Sequence, residues 1–431
     1  MARLRLEHGT ILPLEPKSAV IEDGTVVIDG ANIAFVGPAS QAPVDPDDEV
    51  IDCRGCAVMP GLVNAHTHVS MTLLRGYADD MALQPWLEKK IWPAEMKLRP
   101  EDVYWGAMLG IAEMIRGGVT TFSDMYHYFS AVADAVIESG IRGAVSGVLL
   151  GILPTAEDDL RRAIEFTCEM KRKAHPRLIP MLAPHAIYTC PDPLLVKTAE
   201  AAANLGVRLH IHLSETEKEV ADCIAEHGET PVAHLESLGF LEVPSEVVHC
   251  VHLSDADITL LAKRQAGVVL CPTSNLKLAS GFARTSNLMS AGACLGFGTD
   301  GAASNNNLDM FQEMKLGALL EKARTGNPEV VHAADALAMA TRGAAATLGL
   351  AGQVGTLTPG LRADVIVVDL QSPHLQPHHS VLSHLVYSAR AADVRDVIIE
   401  GEVVMRDREL FHLDEVEIIA KANECARRLV G

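Results

Sequence analysis

From about residue 57 to residue 300, short apolar runs alternate with longer amphipathic stretches. The runs are AVMPGLVNAHTH, GVTTFSDM, RGAVSGVLLG, LIPMLAPHA, VRLHIHLSE, EVVHCVHL, AGVVLCPTS and CLGFGTDGA, eight in all. Between them, stretches such as PEDVYWGAMLGIAEMIRGG space apolar residues three and four apart and stop on glycine, which predicts helices. Strand alternating with helix implies parallel strands, and eight such units predict a (β/α)8 TIM-type barrel. No Gly-x-Gly-x-x-Gly follows an early strand, which counts against an open dinucleotide-binding sheet.

The two ends of the chain read differently. GTVVIDGANIAFVG (24–37) predicts a hairpin turning at Asp29-Gly30. ADVIVVDL (363–370) and VRDVIIEGEVVMRD (394–407) are again short strands with glycine turns. Neither end is long enough to bury a core alone. The expectation is one small β-sandwich domain built from both termini, 1–57 plus 358–431 with a C-terminal helix, flanking a barrel over 58–357.

Composition narrows the partners. A formal net charge of -20 argues against nucleic acid and anionic membranes as ligands. The N-terminus lacks an uninterrupted apolar segment, and no run is long enough to span a bilayer. Nine scattered cysteines, several inside apolar runs, fit buried thiols in a reducing compartment, so a cytoplasmic location is expected. The single CRGC (Cys53, Cys56) has no partner pair and is a weak metal or redox signal.

The chemistry lies at the strand ends. In such a barrel the active site sits at the C-terminal ends of the strands. His66 and His68 end strand one, His185 ends strand four, and strand five carries His210, His212 and Glu215. Strand six carries His249 and His252, and strand eight ends in Asp300. Alternate residues of a strand share a face, so His66 and His68 point into one volume. Three neutral imidazoles and a carboxylate suit Zn²⁺ or Fe²⁺. His66, His68, His212 and Asp300 are the expected ligands of one divalent metal per chain, zinc in preference to iron. His210 is the alternative to His212, which is preferred because His210 lies deeper and Glu215 follows His212 where the strand becomes a loop. Strand four contains no lysine to bridge two metals.

His66-x-His68, His212, His249 and GTDGAAS (298–304) resemble the amidohydrolase superfamily over nearly the whole chain. Within it, HLSET (212–216), HCVHLS (249–254), SNLKLASG (274–281) and GTDGAASNNNLDMF resemble 5′-methylthioadenosine/S-adenosylhomocysteine deaminases. The resemblance implies hydrolysis of the adenine amino group of a small purine nucleoside, giving hypoxanthine and ammonia. It gives Glu215, His249 and Asp300 the catalytic roles: Glu215 protonates the ring, Asp300 takes the proton of the attacking water, and His249 holds that water. It also implies that Trp86 and Glu95 close over the nucleoside, with Glu95 on the ribose, that His185 meets the purine, and that Arg142 meets a homocysteine carboxylate. Ser304 is a further candidate substrate contact. GVLLGILPTAEDDL holds no second arginine, and Arg161 and Arg162 come later, on an apparent helix, which favours methylthioadenosine over S-adenosylhomocysteine. A homo-oligomer, dimer or tetramer, is expected. The alternatives are a guanine or cytosine deaminase or a triazine hydrolase on the same metal site, and a structural relative without activity.

Overall fold

The structure, a computed structural model, describes residues 3–431. Eight parallel strands lie side by side in chain order. They are β1 (Leu62–Thr67), β2 (Val119–Tyr126), β3 (Arg142–Leu149), β4 (Leu178–Pro184), β5 (Leu209–Leu213), β6 (Ser245–His249), β7 (Gly267–Leu270) and β8 (Cys294–Phe297). The ends of the array meet where the Asp300 N–H donates to the His66 carbonyl at 3.0 Å. Gly298 permits that closure, because a Cβ there would sit 2.7 Å from the His66 nitrogen. The expected barrel is borne out, and every strand is buried along most of its length, as expected of parallel strands covered by helices. The helix expected after β1 runs from Pro100 to Arg116, with Pro100 in its first turn and Gly117 at its end.

Both termini join one mixed sheet of nine strands. The hairpin is present as Ile21–Asp29 against Asn32–Pro38, with Asp29 opposite Asn32. Leu6, Val26 and Ile28 from the N-terminal strands share a small core with Val365, Val367 and Ile398 from the C-terminal ones. The long helix Glu415–Val430 follows.

One expectation needs correction. The run read as the first barrel strand is two strands. Cys56–Pro60 pairs antiparallel with Val365–Asp369 in the terminal sheet, and only Leu62–Thr67 enters the barrel. Cys56 and Val58 face the small core while Ala57 and Met59 face the barrel core, so the strand is apolar on both sides. No polar residue marks the break. Gly61 makes it, because a Cβ there would lie 2.2 Å from Thr120.

Candidate active site

Three imidazoles and one carboxylate cluster at the C-terminal mouth of the barrel. Asp300 Oδ1 lies 3.3 Å from both His66 Nε2 and His68 Nε2. His66 Nε2 lies 3.3 Å from His212 Nε2. His66 Nε2 thus stands within 3.3 Å of both the Asp300 and the His212 donor atoms, and all four groups are of types that bind zinc or iron. The opposite ring nitrogens are already occupied. His68 Nδ1 lies 2.6 Å from the Met125 carbonyl and His212 Nδ1 lies 2.8 Å from the His185 carbonyl. A carbonyl can only accept, so Nδ1 carries the proton and Nε2 keeps its lone pair. The residues present therefore fit a divalent transition metal. His210 lies deeper, with its Nε2 2.8 Å from His66 Nδ1.

The carboxylate is oriented as well. Ser274 Oγ and Ser304 Oγ donate to Asp300 Oδ2 at 2.6 and 2.7 Å, and the Gly301 N–H donates to Oδ1 at 2.8 Å. Burial alone would raise the Asp300 pKa, but the His66 hydrogen bond and neighbouring imidazoles hold it well below the usual carboxylate range. Glu215 goes the other way. Burial, and then the charge of Asp300, push its carboxyl up to about 8. Its Oε1 accepts from Ser280 Oγ at 3.2 Å, and its Oε2 lies 3.8 Å from His249 Nε2. Asn275 Nδ2 sits 3.0 Å from His249 Nδ1 and fixes that ring.

The backbone at these strand ends is strained. Ser214, His249, Cys250 and Asp300 all have φ between 49° and 72°, where residues with a Cβ are uncommon. Glu219 holds one of these turns, with its carboxylate accepting the N–H groups of Ser214 and Glu215, both at 2.8 Å.

A cavity opens over this cluster, walled by His68, His185, His212, Glu215, His249 and Asp300 below and by Trp86 and Glu95 above. Trp86 and Glu95 are nine residues apart, on opposite faces of a regular helix at about 100° per residue. A π-helical turn over Leu87–Ile91 lets both reach the cavity. Pro93 begins the next turn, and its missing N–H leaves no donor for a regular bond there. The buried Trp86 indole N–H has no partner among the described residues. His185 Nδ1 rests on Thr189 Oγ1 at 2.9 Å, and burial lowers this histidine to about 3, so it is neutral. A second space of about 710 Å³ adjoins the first and shares Glu95, Tyr126 and Leu150 with it.

Two expected contacts are displaced. Arg142 is the first residue of β3, at the far end of the barrel from the site. It is buried against Asp364 at 3.2 Å and Glu400 at 3.5 Å, so it fastens the barrel to the terminal sheet and meets no substrate. Ser304 is buried with its hydroxyl on Asp300 rather than exposed to the cavity. Other site residues were not singled out from the sequence: Ser274, Asn275, Ser280, Glu219 and His127, the last 3.9 Å from Glu95. His127 directly follows β2, so the strand-end rule could have found it.

A model described as the amidohydrolase family matches residues 57–404. The chain belongs to the amidohydrolase family. This amidohydrolase is 47% identical over 432 residues to a 5-methylthioadenosine/S-adenosylhomocysteine deaminase of Pelotomaculum thermopropionicum, covering 100% of each chain. It is 44% identical over 433 residues to a 5′-deoxyadenosine deaminase of Methanosarcina mazei, covering 100% of this amidohydrolase and 99% of that protein. The crystal structure of an adenosine deaminase from Xanthomonas campestris with bound zinc superposes with a TM-score of 0.96 at 39% identity, covering 99% and 98% of the two chains.

Proposed function

We propose that this amidohydrolase deaminates the adenine ring of a 5′-modified adenosine, releasing ammonia and leaving hypoxanthine. The observation that carries the reading is the pairing of a low-pKa Asp300, set against His66 and His68 Nε2, with a Glu215 carboxyl still protonated near neutral pH. Two carboxyls driven apart by their surroundings make an acid and a base. The names of the full-length relatives from Pelotomaculum and Methanosarcina supply the substrate class.

His66, His68, His212 and Asp300 would hold one zinc per chain, the metal bound in the Xanthomonas relative. Bound there, a divalent metal lowers the pKa of a coordinated water toward neutrality. The protein does the rest. Asp300 accepts the water proton and delivers it to the departing amino nitrogen. Glu215 gives its proton to the ring nitrogen beside the attacked carbon, making that carbon electrophilic, and takes back the proton of the added hydroxyl as ammonia leaves and the carbonyl forms. His249, held by Asn275, positions the water. Glu95 accepts from the ribose hydroxyls, Trp86 covers the sugar, and His185 meets the purine edge.

The 5′ substituent then points into the adjoining space, whose walls include Phe129, Val148, Leu150, Ile152 and Leu153. Its arginine, Arg162, is already paired with Asp159. A methylthio group fits such walls, whereas a homocysteine carboxylate finds its nearest guanidinium engaged. A panel of 5′-substituted adenosines, followed by the loss of adenine absorbance on zinc-loaded enzyme, tests the reading. Methylthioadenosine should exceed S-adenosylhomocysteine in kcat/KM by about tenfold, the order of one charge-assisted contact. Turnover of guanine or cytosine in place of every adenosine would overturn the reading.

The reading also places the enzyme in the cytoplasm; no helix among the described residues is long and apolar enough to cross a membrane. It keeps a dimer or tetramer, supported by Val416 and Ile419, which stand exposed three residues apart on the last helix. Light scattering on the purified chain measures the assembly.

A further inference from the structure

Each ligand imidazole presents Nε2 because something holds its Nδ1, but the three holders differ. His68 and His212 use main-chain carbonyls, which no substitution removes. His66 uses a side chain, with its Nδ1 2.8 Å from His210 Nε2. A neutral His66 that offers its Nε2 lone pair to a metal must carry its proton on Nδ1, and that proton needs an acceptor.

We propose that His210 is a positioning residue: its Nε2 accepts the His66 Nδ1–H and thereby fixes the ring and the affinity of the metal site. The inference rests on the reading of His66 as a ligand through Nε2. Two observations support it. His210 lies on β5 two residues before His212 and faces the same way, but one layer deeper. It is fully buried, so no water competes for its Nε2. Its own Nδ1 has no partner among the described residues, so the proposed tautomer leaves that N–H unpaired, a cost that the bond from His66 to the metal has to offset. Glu246 approaches the same Nε2, but its Oε1 is farther away, at 3.4 Å against 2.8 Å for His66 Nδ1, and its Oε2 accepts from Ser123 Oγ at 3.2 Å.

The test compares two polar substitutions of different reach. Glutamine places a carbonyl oxygen near the position of Nε2, whereas asparagine reaches no further than Nδ1. Zinc affinity is measured by chelator competition, independently of turnover. His210→Asn should weaken zinc about 10- to 100-fold, while His210→Gln should stay within about threefold of the wild type. Equal affinity in both variants, or equal loss in both, would overturn the proposal. So would a second zinc equivalent that disappears in His210→Asn, which would make His210 a ligand. His66→Ala separates this inference from the one beneath it: retained stoichiometric zinc there means that the ligand assignment itself has failed. If His210→Asn does not fold, isotope-labelled histidine spectra of the zinc-loaded wild type decide. His210 should appear as the Nδ1–H tautomer, and an Nε2–H tautomer would overturn the proposal.

Discussion

Glu215 and Asp300 face one cluster of imidazoles and carry opposite protonation, one held at about 8 and the other well below the carboxylate range. Glu215→Gln should keep full zinc content and lose deamination by about 10² to 10⁴ or more, because one residue serves more than one proton transfer. A variant retaining a tenth of wild-type turnover would remove Glu215 from the proton path. The protonated carboxyl is the working form, and its raised pKa keeps it protonated below about 8. The value of kcat/KM should therefore fall as pH rises through that region, and a profile still climbing there would contradict the assignment. At this scale the ligand cluster was legible, because histidines stand out at the ends of apolar runs. Ser274, Asn275, Ser280 and Glu219 were not, since a serine, an asparagine or a glutamate in or beside a short helix looks the same whether it faces solvent or a catalytic oxygen.

At the scale of elements, the helical segment 83–95 matters most, because it carries Trp86 and Glu95 over the site. Glu95 is buried beside Tyr126 and His127, so it has only a small freedom to move. Glu95→Ala should depress kcat/KM strongly for adenosine-type substrates, because a site built to bind a hydroxyl leaves that group unpaired when its partner goes. A free purine base, if turned over, should suffer little, and equal losses for both would take Glu95 off the ribose. The π turn that aims these residues was not legible, because the sequence shows only two prolines and two tryptophans around a charged stretch. Arg142 was misread for a simpler reason. The apolar run of β3 was recognised, but a residue at its start lies a whole strand length from one at its end, and only the end reaches the site.

Across the whole molecule, Arg142 joins two cores. It is buried with Asp364 and Glu400, whose strand and turn belong to the terminal sheet, and Arg177 reaches Glu402 nearby. Removing one member of a buried ion pair strands the others, at about 3–5 kcal/mol. Arg142→Met should therefore lower the melting temperature clearly while leaving the relative turnover of methylthioadenosine and S-adenosylhomocysteine unchanged. A selective loss on S-adenosylhomocysteine would return Arg142 to the substrate. The barrel and the shared terminal domain were both legible, because strand-helix alternation covers the middle and short strands with glycine turns occupy the ends. Their junction was not, because a strand buried on both faces continues the apolar pattern straight through Gly61. The pairing of Cys56–Pro60 with Val365–Asp369 also has a consequence for biosynthesis. On the ribosome this strand emerges early and waits with an open edge until the whole barrel has been translated. A chain halted before residue 358 keeps that edge and should sediment with the insoluble fraction, so the last strands act as the quality-control checkpoint of a finished molecule.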